Sequence, residues 1–186
     1  DPDWVRRRDE DDRRHAAEVR MLRAEMKPEE TALRRDLAQI GFPIRSVSDL
    51  VNMDAPYPPG TAPILVRHLQ QARHPVQRNC LARALTVEEA EGIAGKPILQ
   101  ELRRETDSEA RFAMANALTL VATPDDADEI AALVEDPAYA DVRERLDQAL
   151  GNVRPGRRKK VRRRATFRPR PATWWGRLGL RPGPFR

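Results

Sequence analysis

The chain is poor in the residues that most often announce chemistry. It has one cysteine, Cys80, so no internal disulfide can form, and a reducing, cytoplasmic setting is expected. Its three histidines, His15, His68 and His74, are far apart and match no zinc spacing. Aromatics make up 5% of the residues, which leaves Leu, Ile, Val, Ala and Met to build a core. That composition suits helices packing through small and aliphatic side chains. No run of about eighteen apolar residues occurs, so no membrane-spanning helix is expected. The opening DPDWVRRRDE lacks the apolar stretch of a secretory signal, and none is expected. Phosphate loops of the GxGxxG or Walker type are missing, which argues against a nucleotide cradle. The acidic run TPDDADE lacks the alternation and glycine of a calcium loop and reads as a helix start. Strand signals are nearly absent. No catalytic residue, cofactor, metal or small-molecule substrate is expected.

What is abundant is charge, at 34%, and it is unevenly placed. Residues 154–186 hold 13 Lys+Arg and no acid, whereas residues 1–153 hold 21 Lys+Arg and 29 Asp+Glu, a balance of −8. The net charge of +5 therefore describes neither part: an acidic body precedes a basic tail.

Three similar stretches recur along the body. RNCLARALTV begins at Arg78, RFAMANALTL at Arg111 and RERLDQALGN at Arg143, each placing Ala-Leu six residues after the arginine. The flanking apolar positions form helical stripes. Ile64, Leu65 and Leu69 lie on one helix, and Cys80, Leu81, Ala84 and Leu85 on the next. Ile98, Leu99 and Leu102 then alternate with Ala113, Met114, Ala117 and Leu118. Ile130, Leu133 and Val134 alternate with Leu146, Ala149 and Leu150. None of these short helices stands alone in water, but stacked neighbours would bury a continuous core. Thr86 with Glu89, and Thr106 with Glu109, read as capping boxes. Thr123 and Pro124 read as a cap and a first-turn proline. Upstream, Pro28 breaks a charged helix at Lys27 and opens a second one, whose stripe is Leu33, Leu37 and Ile40 and whose C-cap is Gly41. A short helix in SVSDLVN and a turn in DAPYPPG follow.

On these residues the chain resembles the HEAT-repeat family. The loops HPVQR, DSEAR and YADVR place Arg78, Arg111 and Arg143 at matching points, and Ala84, Ala117 and Ala149 resemble the close-packed positions of second helices. GFPIRSVSDLVN, YPPGTAPILVRHL and ARALTVEEAEGIAGKPIL also resemble one bacterial group of HEAT-repeat proteins with no assigned activity. The resemblance spans about residues 28–152 and implies curved stacks of helix pairs that bind protein or nucleic acid more often than they catalyse. It also frames two exclusions. Di-iron HEAT-like enzymes use His-Glu pairs, which this chain lacks. HEAT-like DNA glycosylases use a cationic groove with aromatics, and this body is acidic with Phe42, Tyr57, Phe112 and Tyr139 as its few rings.

The expected architecture is thus all-α: a short α-α superhelix of about three helix pairs over 28–152. A charged helical extension precedes it (1–27), and a disordered basic tail follows (153–186). Two readings stay open for the arginine ladder: bonds to carbonyls and acids of the adjacent repeat, or a concave anion-binding row. Arg83 and Asn116 depart from the repeat, so they are candidates for partner contact. In the tail, Arg157, Arg158, Lys159, Lys160, Arg162, Arg163 and Arg164 are candidates for phosphate contact, and Trp174 and Trp175 for base stacking. An anionic membrane surface, a fold back onto the acidic body and a poorly constrained end are further readings of the tail. The first expectation for function is a non-enzymatic cytoplasmic adaptor that binds a protein partner. A nucleic-acid-associated protein comes second, and a glycosylase third.

Overall fold

The computed structural model describes residues 2–53 and 56–154, and every regular element among them is helical. Residues up to Pro28 belong to one compact unit, and Glu29 begins another.

In the first unit, helix α1 (Pro2–Gln39) starts with interleaved charges. Arg14 lies 3.8 Å from Asp11, and both are largely exposed. An exposed pair of this kind contributes roughly 0–1 kcal/mol. Leu22 and Met26 are half-buried. The expected break at Lys27 does not occur, because Pro28 sits inside α1. Proline removes one backbone donor and crowds a carbonyl, at about 3 kcal/mol, but its fixed φ is itself a helical value. The bias it imposes on Lys27 is local, and a chain that is helical on both sides overrides it.

In the second unit, α1 is held by Leu33 and Leu37, both fully buried, while Ile40 is exposed. Gly41, at φ +77°, closes it. The Gly41 N–H donates to Ala38 O at 3.0 Å and the Phe42 N–H to Leu37 O at 3.0 Å, the paired bonds of a Schellman ending. Helix α2 (Val47–Val51) starts at Ser46. There the Ser48 N–H donates to Ser46 Oγ (3.1 Å) and the Ser46 N–H to the Asp49 carboxylate (3.2 Å), a reciprocal cap.

Three helix hairpins follow: α3 (Thr61–Gln71) with α4 (Pro75–Ala84), α5 (Gly95–Arg104) with α6 (Ser108–Val121), and α7 (Ala127–Glu135) with α8 (Arg143–Val153). The first two have three-residue connections, at 72–74 and 105–107. Helices α2, α4, α6 and α8 pack successively into one layer. Helices α3 and α5 pack together in the other, and Arg103 on α5 reaches Glu129 on α7 at 2.6 Å. The end of α1 extends this second layer, because Asp36 bonds Arg67 and His68 of α3. The layers are thus one element longer at their start than the three hairpins alone. The apolar stripes read from the sequence form the interior: Ile64 and Val134 are half-exposed, and the other residues of the six stripes are buried.

Several local expectations are corrected. Thr86 does not cap; its hydroxyl donates to Ala82 O at 3.1 Å, and Glu89 instead accepts the Tyr57 N–H at 3.0 Å. Thr106 does not cap either, because Asp107 takes the position and accepts from the Ala110 N–H at 2.9 Å. At Thr106 the neighbouring aspartate competes for the same amides, so the motif alone does not set the register. Tyr57, in the proline-rich turn, is a core residue: its hydroxyl donates to Leu50 O at 2.8 Å, and its ring lies 5.9 Å from that of Phe42.

Candidate functional site

Two of the three members of the arginine ladder are engaged in structure. Arg78, at the start of α4, binds the Glu105 carboxylate in bidentate fashion, through Nε and through Nη2 (3.0 Å). Its Nη1 donates to the carbonyls of Ala72 (3.2 Å) and Arg73 (2.7 Å). Glu105, whose side chain is 1% exposed, also accepts the N–H groups of Thr106 and Asp107 at 2.9 Å each. Burial pushes its carboxyl up, but Arg78 and the two amides outweigh that and hold it below the ordinary range. Arg111 repeats the device one hairpin later. It donates to Ala138 O (2.6 Å) and Asp141 (2.8 Å), with its guanidinium 4.8 Å from the centre of the Tyr139 ring. Each arginine therefore ties its helix to the next hairpin. Arg143 is exposed and pairs with no described residue. An anion-binding row of three arginines is not formed.

A second polar cluster, which no local sequence pattern signals, joins α1 to α3. Asp36 accepts from Arg67 Nη2 at 2.8 Å, has Nε2 of buried His68 2.9 Å away, and accepts from Arg35 at 3.1 Å. The His68 bond, followed by the Arg35 contacts, lowers the Asp36 carboxyl against the opposing effect of burial. His74 is the N-cap of α4, its Nδ1 accepting the Val76 N–H at 3.2 Å. Among the described residues, no group of three or more His, Cys, Asp or Glu side chains is placed to hold a metal ion. Cys80 is buried, and burial pushes its thiol up to about 12, so it is protonated at neutral pH and inert.

What remains is the outward ridge of the layer containing α4, α6 and α8. Polar and aromatic side chains share one face of each helix: buried Asn79 and half-buried Arg83 on α4, with Thr86 just beyond its end; Phe112, Asn116 and Thr119 on α6; Arg145, Gln148 and Asn152 on α8. The ridges are tied together. The Arg145 guanidinium lies 5.4 Å from the centre of the Phe112 ring and donates to Gln148 Oε1 at 2.9 Å, and Asn152 Nδ2 donates to Thr119 O at 2.7 Å. Phe112 is 43% exposed. Arg83 and Asn116, the two candidates singled out for departing from the repeat, are half-buried on these adjacent helices. Sequence reasoning counts Phe112 only among the few rings of the body and passes over Arg145. Their separation of 33 residues, the spacing of Arg78 and Arg111, was the signal that could have found them.

The tail candidates Arg157, Arg158, Lys159, Lys160, Arg162, Arg163, Arg164, Trp174 and Trp175 lie outside the described residues. No helix among the described residues is long and apolar enough to cross a membrane. No protein-family model matches the chain, and neither a curated protein nor a solved structure matches it.

Proposed function

We propose that this chain is a non-enzymatic HEAT-like repeat adaptor that binds a protein partner along the ridge of α4, α6 and α8. The observation that carries the reading is the contrast between two sets of polar side chains. The ladder residues Arg78 and Arg111 are engaged between hairpins, whereas the Asn116 side chain, on a neighbouring face of the same layer, hydrogen-bonds to no described residue. A half-buried amide four residues from the exposed Phe112, in a layer that also presents Arg145 and Gln148, is equipped for recognition. A nucleic-acid role through the basic residues after 153 is the second reading, and it rests on their 13 cations alone.

The test places a photo-crosslinking amino acid at Asn116 in the intact chain within its own cells. A protein adduct at this position, absent when the crosslinker replaces exposed Gln100 on α5, is the expected result. Equal adducts at both positions, or nucleic acid as the sole adduct, would reject the reading.

A further inference from the structure

We draw no further inference here: the strongest candidate, the exposed Phe112 ring with the Arg145 guanidinium beside it on the ridge of α4, α6 and α8, belongs to the surface already described, and nothing in the structure shows what covers it.

Discussion

Glu105 shows how much one side chain can organise. It lies between α5 and α6, receives Arg78 from the preceding hairpin, and accepts two backbone N–H groups that would otherwise lack partners. Glu105→Gln leaves the Arg78 guanidinium without its counter-charge, and removing one member of a buried pair costs about 3–5 kcal/mol, here toward the low end because Arg78 is partly exposed. A fall of that size in unfolding free energy by urea titration at neutral pH is the expected outcome. The pH dependence follows from the sign of the shift. The folded carboxyl is held below its ordinary 4.5, so its contribution is present above that value and lost as pH falls through the lower, folded one. Between about pH 5 and pH 3 the wild type should therefore lose stability more steeply than Glu105→Gln; parallel curves would remove Glu105 from the account. Gly95 makes a second residue-scale point. A Cβ built there would lie 2.5 Å from Asp126 Oδ2, and Asp126 is a buried carboxylate that accepts from Thr123 N (2.8 Å) and Oγ1 (3.1 Å). In an open helix Gly→Ala gains about 1 kcal/mol. Here Gly95→Ala is expected to destabilise by about 1–3 kcal/mol, because the displaced group is anchored and buried. A raised melting temperature would show that Asp126 gives way freely.

At the level of the helix, the sequence was legible where one period served one purpose. The stripes of α3 to α8 are buried because each helix presents the same face to its neighbours, and the 33-residue recurrence repeats that environment. Legibility failed where two local solutions compete. Thr106 and Asp107 can both cap α6; Asp107 takes the position, while Glu105 accepts the N–H groups of both. Pro28 read as a stop, yet α1 continues through it. Contacts between distant helices, such as Asp36 with His68, follow no local pattern. The candidate site was half visible: Arg83 and Asn116 stood out as departures from the repeat, whereas the exposure of Phe112 depends on what α4 and α8 leave uncovered. The register itself can be tested in α6. Ala117 is fully buried in a helix packed against α4, α5 and α8. Ala117→Arg would bury a long, charged side chain where a methyl group fits. Loss of cooperative thermal melting is expected. A variant that melts cooperatively near the wild-type temperature would refute the placement of α6.

At the scale of the whole molecule, charge separates two jobs that one net value conceals. The body is acidic, and its last thirty residues, 124–153, alone hold nine acids against two arginines, while residues 154–186 hold 13 cations and no acid. Any affinity of the full chain for nucleic acid should then belong to the cations after 153 and respond to salt. For single strands, log K falls with log salt at roughly 0.7 per phosphate neutralised. The cut that isolates the body belongs after Arg154 rather than Asn152, because Val153 closes α8 and is buried. Residues 1–154 are expected to melt like the full chain and to show no oligonucleotide binding at either about 50 or 200 mM salt, the range over which such contacts are diagnostic. Crosslinking to a protein through Asn116 should survive the cut. Oligonucleotide binding by residues 1–154 that is weakened by Arg83→Glu would reverse the assignment, because it would place the polyanion on the ridge of α4, α6 and α8 in spite of the acidic body around it.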